Sequence, residues 1–269
     1  MRDASKAPMK WGSTFGARDL VTPLLMLFLC LLMVATAFLS GLFGMAGGMV
    51  LIGVLLVVLP VPAAMVLHAV TQMASNGWRA WLWRRNVRWR TVAAYAAGGL
   101  LALVVWSFWR YVPDKPVAFI FLGLTPFMVR LAPARLAPDP ESAVQGAGYG
   151  AACMTLMLLT GVSGPLLDSF FLGGRLDRRQ IVATKATCQV LGHGLKLAYF
   201  GGVIQDSGSI DPVMAVLAIL ASMLGTTLAR QFLEAMTDQQ FRRWAGHIIT
   251  TIASYFLLHG SWLLLTAPT

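Results

Sequence analysis

His68, Gln72, Asn76-Gly77 and Arg79 recur 117 positions further on as Lys185, Gln189, His193-Gly194 and Lys196. Spacings of 4, 4 and 3 residues set each group along one face of a helix. Amides donate hydrogen bonds, imidazoles exchange protons near neutral pH, and Arg or Lys supplies positive field. Both stripes lie in largely apolar stretches, and polar groups on a membrane helix normally face a protein interior or a water path. The chemistry these residues suit is non-covalent: a polar solute held between two halves of one chain.

The sign of the inventory points to an anion. Arg79, Lys185, Lys196, His68 and His193 stand against one acid, Asp168, and a site so lined favours negative charge. Gln72 and Gln189 sit near the centre of each stripe, with Asn76 and His193 beside them. Lys196 or Arg79 would supply the positive field. Snorkelling to the headgroups is the competing reading for Arg79, close to Arg84-Arg85, and for Lys185, close to Arg178-Arg179. His68, Asp168 and Lys185 are candidates for coupling, with the proton as the ion; Asp168 alternatively pairs with a nearby base.

A glycine motif precedes each stripe. Gly41-Leu42-Phe43-Gly44-Met45-Ala46-Gly47-Gly48 is glycine-dense within an apolar run, and the second half keeps Gly161 and Gly164 before Pro165-Leu166-Leu167-Asp168. Small residues of this kind either pack helices closely or break one, so that Gly44, Gly47, Gly48, Gly161 and Gly164 present backbone to a solute. Proline at 165 fits a helix start.

The elements that must position these residues are membrane helices. The 269 residues are 57% hydrophobic and 12% charged, with mean hydropathy +0.70, against about 25% charged residues in a soluble domain. Leu20–Gly41, Ala93–Trp109, Val213–Ala229 and His247–Thr266 approach or exceed the roughly 20 apolar residues a spanning helix needs. The net charge of +10 resides mostly in short clusters between apolar runs, which sets orientation and gives no reason to invoke nucleic acid. Cys30, Cys153 and Cys188 show no metal-ligand or disulfide spacing, so neither a metal nor another cofactor is expected. Met1–Arg18 followed by an apolar run to Ala37 resembles a signal peptide, but the run is longer than an h-region.

The chain divides into a tail over 1–19, a first repeat over 20–130, a linker over 131–142 with Pro133, Pro138 and Pro140, and a second repeat over 143–266. Each repeat reads as four long helices plus a short re-entrant or tilted one, at Met49–Leu59 and at Leu166–Leu172. The stripe helices occupy Ala64–Trp83 and Gln180–Gly201. Loop charge then fixes direction. Arg84–Arg90 is basic after the first stripe, whereas Val203–Asp211 is free of Lys and Arg after the second; the segments before the stripes reverse this. Basic short loops stay cytoplasmic, so the stripe helices run oppositely and the all-α fold comprises two inverted repeats. Five segments per half then place the N-terminus outside, against its four basic residues.

At Ser40–Gly48 with Gln72, Asn76-Gly77 and Arg79, and at Thr160–Gly164 with Gln189, Gly192-His193-Gly194 and Lys196, the chain resembles the sulfite exporter TauE/SafE family, also called the toluene-sulfonate uptake permease family. The resemblance implies a multi-pass protein of the bacterial inner membrane, in contact with lipid, that moves a small sulfur-containing anion of the sulfite, thiosulfate or organosulfonate type. Asp168 and the Trp78, Trp81, Trp83 series depart from the pattern. A non-transporting membrane assembly protein and a membrane-embedded enzyme are the alternatives. Against the enzyme stands the absence of HExxH, GxSxG or an acid cluster, and no nucleotide-binding motif is present.

Overall fold

The computed structural model describes residues 23–43, 45–131, 138–172, 176–204, 211–235 and 238–266. All regular structure among them is helical: α1 (Pro23–Phe43), α2 (Ala46–Val58), α3 (Val61–Leu82), α4 (Trp89–Trp109) and α5 (Lys115–Leu131), then α6 (Ala143–Thr160), α7 (Gly164–Leu172), α8 (Arg178–Ala198), α9 (Pro212–Ala235) and α10 (Asp238–Leu265). Five helices contain a stretch long and apolar enough to cross a membrane: α1, α4, α6, α9 and Gly246–Leu265 of α10. The stripe helices α3 and α8 fall outside that group because of their polar faces. At 1.5 Å per residue, α2 and α7 extend only about 20 and 14 Å, short of the roughly 30 Å hydrocarbon core. Gly44, the tail over 1–19 and residues 132–137 of the linker lie outside the described residues.

Local chemistry accounts for the boundaries. Pro60 and Pro62 open α3 three residues earlier than periodicity alone suggests, since proline is preorganised for the first turn. The Ser142 hydroxyl accepts from Gln145 N–H to start α6. Asp177 and Gln180 form a capping box at α8. α6 stops at Gly161, whose φ of +87° is left-handed and suits glycine at a helix C-terminus. Past Ala198, α8 continues as a π-helical turn over Tyr199–Val203.

Close backbone approaches give the register of packing. Glycines remove the Cβ that would otherwise hold helices apart. Gly77 faces Val190 and Gly194 faces Met73, so α3 and α8 lie antiparallel. Gly123 against Ala253 and Leu257, with Gly260 against Phe119 and Ile120, makes α5 and α10 antiparallel. By contrast, α1 and α9 run in the same direction, through Gly41 against Ala229 and Gly225 against Val34 and Ala37. So do α4 and α6, through Gly98 against Ala147 and Trp106 against Thr155.

Leu29, Met33, Leu51, Ile52, Leu55, Met65, Phe119 and Phe256 form the main core between α1, α2, α3, α5 and α10. The outward faces of α4 (Leu101, Val104, Phe108), α9 (Val216, Leu220) and α10 (Leu258, Leu265) are exposed and apolar, the surface a hydrocarbon solvent requires. What remains polar inside is concentrated on α3 and α8.

Candidate functional site

Each glycine motif forms a sharp reversal between its first helix and its short helix. In the first half, a Cβ on Gly47 would collide with the Thr36 carbonyl and with Ser40 of the preceding helix, so only glycine lets α2 fold back on α1. In the second half, Gly161 and Gly164 bracket the turn from α6 to α7. The two turns meet: Gly164 abuts Met45, and Gly161 abuts Ile52 and Met65. The motifs therefore converge in the interior, between α3 and α8.

Two corners flank that junction. In the first, His68 Nε2 lies 3.0 Å from the Gly48 carbonyl. A carbonyl only accepts, so Nε2 carries the hydrogen and Nδ1 the lone pair. Lys196 Nζ donates to that Nδ1 at 2.7 Å and to the Gly161 carbonyl at 2.9 Å. Both side chains are fully buried, and Lys196 has no carboxylate at ion-pair distance among the described residues. The ammonium thus meets the carbonyl of the residue capping the C-terminus of α6, where a cation is favoured.

The second corner uses the residues in the corresponding positions. Lys185 pairs with Asp168, their side chains 21% and 29% exposed. Arg79 donates to the Ser40 carbonyl at 3.4 Å, near the end of α1, and lies within electrostatic reach of Asp168. Arg79 thus stands to α1 as Lys196 stands to α6. Lys196 does not snorkel, and the Arg79 guanidinium turns inward to Ser40. Asp168 has the paired base that sequence reading set beside a coupling role.

Between the corners lie the amides. Asn76 Nδ2 donates to the Gln72 backbone carbonyl at 3.0 Å and lies 3.4 Å from Gln72 Oε1. His193 Nε2 donates to Gln189 Oε1 at 3.2 Å. In each half the residue four positions on holds the glutamine oxygen, leaving the glutamine NH2 to donate elsewhere. Neither Nε2 has an acceptor among the described residues, although Gln72 and Gln189 are only 7% and 9% exposed. Gln72 also packs against Gly48, where a Cβ would come within 3.4 Å of the amide.

The expected residues therefore come together from both stripes, with two differences of detail. Gly48 and Gly161 engage the basic side chains through carbonyl oxygens, where free N–H groups were expected. Other contributors bear no relation to the stripe spacing. Ser75 hydrogen-bonds Thr226 of α9 at 2.8 Å, and Tyr95 of α4 places its hydroxyl against Gly192. The Ser40 hydroxyl, buried without a partner among the described residues, was visible in the motif but had no chemistry attached to it.

The family profile described as Sulfite exporter TauE/SafE matches residues 27–256, a range that takes in both glycine motifs and both stripes. No curated protein and no solved structure gives a match.

Proposed function

The chain belongs to the sulfite exporter TauE/SafE family of membrane transporters, and from that premise we propose that it is a secondary transporter of a small sulfur-containing anion in the bacterial inner membrane. Gln72, Asn76, Gln189 and His193 contact the solute from two sides, and Lys196 supplies the charge. The halves act as inverted repeats that rock about the solute, exposing it alternately to each face. The antiparallel packing of α3 on α8 and of α5 on α10 supports that symmetry.

One observation carries this reading. Among the described residues, two glutamine NH2 groups on antiparallel helices have no acceptor, and a buried lysine on one of those helices has no carboxylate at ion-pair distance. Burying a cation is costly unless a group of opposite charge joins it. A small oxyanion, rich in acceptors and negative, meets both needs at once. Their low exposure fits an occluded arrangement, in which the solute is enclosed before release.

Thermal unfolding of the purified protein with sulfite, thiosulfate, an organosulfonate and a small carboxylate tests the proposal. A ligand of the folded state raises stability by about 2.7 kcal/mol at 100 times its Kd. Sulfur oxyanions should shift the transition, and Gln72→Ala with Gln189→Ala should abolish the shift. Affinity that survives the double substitution removes these amides from the site; stabilisation by none of the sulfur anions moves the protein to another solute class.

A further inference from the structure

The anion site just proposed contains one buried acceptor that a simple anion leaves unmet. His193 Nε2 is committed as a donor to Gln189 Oε1, since an amide oxygen only accepts. The other ring nitrogen, Nδ1, is buried with no partner among the described residues, in a side chain 1% exposed. His68 differs, because both of its nitrogens are engaged, by Gly48 and by Lys196. A lone pair in that position calls for a hydrogen-bond donor.

Charge local to that ring gives a second constraint: three cations face one acid across both corners, but of these only Lys196 acts on His193. Protonated, Lys196 brings one positive charge, and its two contacts are neutral acceptors, His68 Nδ1 and the Gly161 carbonyl. Asp168 is already paired with Lys185 and lies within reach of Arg79. The groups that act electrostatically on His193 are Lys196 on its own helix and His68 on α3. From α4 and α6, Tyr95 and Cys153 stand together, Tyr95 against the neighbouring Gly192.

Resting on the anion-site reading, we infer that the preferred solute is a monovalent oxyanion that still bears one acidic proton, hydrogen sulfite being the type. Its charge is balanced by Lys196, its oxygens accept from Gln72 and Gln189, and its O–H donates to His193 Nδ1. If the proton crosses that hydrogen bond, the O–H bond breaks and an Nδ1–H bond forms, leaving a dianion beside an imidazolium. The complex holds one proton more than the dianion in either arrangement. Sulfate and thiosulfate offer two charges and no O–H, and an organosulfonate offers one charge and no O–H, so each leaves part of the site unmatched.

Calorimetric titration of the full-length protein decides the matter, with sulfite measured across its second ionisation and with methanesulfonate and sulfate measured alongside. The sulfite Kd should rise about tenfold per pH unit once the dianion dominates. Methanesulfonate and sulfate should bind at least tenfold more weakly than sulfite where hydrogen sulfite dominates. Methanesulfonate keeps one charge throughout, so its profile reports titration of protein groups alone. A sulfite Kd independent of pH, or methanesulfonate binding as tightly as sulfite, overturns the inference while leaving the anion site standing. Absence of binding by every anion overturns the site itself. His193→Phe, which removes both ring nitrogens, should erase the preference for sulfite over methanesulfonate; a retained preference counts against His193, and the wild-type titrations stand without this variant.

Discussion

The two corners of the site occupy matching places in the two halves yet solve their electrostatics differently. In the first, His68 bonds a neutral carbonyl and a lysine, fully buried, and no acid among the described residues takes part. In the second, the equivalent positions hold Lys185 and Asp168 as an ion pair that keeps about a quarter of its side-chain surface exposed. Complete burial of an ion pair carries a desolvation cost that its attraction seldom repays, whereas a partly wetted pair avoids much of it. The first corner therefore holds a fully buried cation with no acid beside it among the described residues, whereas the second sets one acid against two cations, Lys185 and Arg79. On the proposed function, that contrast assigns the anion to the Lys196 side of the junction.

Substitutions at these corners should separate the two roles, and the largest effect belongs to Lys196. Lys196→Met should weaken anion affinity by about 2–5 kcal/mol, a loss of at least ~30-fold in Kd by titration. If Arg79→Met does the same, the two corners share the binding equally and the contrast fails. Next comes the turn of the first half. Gly47→Ala puts a Cβ against backbone of α1 that cannot yield; a loss of about 1–3 kcal/mol in stability is expected from overpacking, read as a lowered Tm. Gly161→Ala should fall in a similar range, since the left-handed φ costs a residue with a Cβ about 1–2 kcal/mol.

Smaller effects test the amides and the ion pair. Gln72→Glu and Gln189→Glu each replace a donor by a carboxylate of the same shape, and each should lower anion affinity about tenfold, from loss of a charge-assisted hydrogen bond. Unequal losses would show that the solute sits toward one stripe. A double-mutant cycle on Lys185→Met and Asp168→Leu should return a coupling of about 1 kcal/mol in thermal unfolding, close to the value for a solvated pair. A coupling of several kcal/mol would mean that the second corner is as dry as the first, and the comparison would have to be redrawn.

Much of the helical layout was legible in the residue pattern. The duplicated stripes located α3 and α8, the glycine clusters located both reversals, and the short apolar segments gave α2 and α7, because each signal is local in sequence. The bonds within the site were less so. Nothing in the spacing of 4, 4 and 3 residues distinguishes Lys196, which turns inward to Gly161, from Lys185, which turns to Asp168. The same spacing is silent on Thr226 and Tyr95, which reach the stripe helices from α9 and α4.

By itself, then, the sequence determined a helical membrane protein with a basic polar stripe that recurs on two helices, since hydropathy, glycine content and side-chain period are properties of short segments. Which basic groups remain unbalanced was decided only by the tertiary structure. The distance between Lys196 and the nearest free carboxylate, or between His193 Nδ1 and the nearest donor, depends on how helices far apart in the chain pack against one another. At an antiparallel crossing of α3 and α8, where the two glycine turns meet, that packing leaves Lys196 without an acid, two glutamine NH2 groups without an acceptor and His193 Nδ1 without a donor among the described residues.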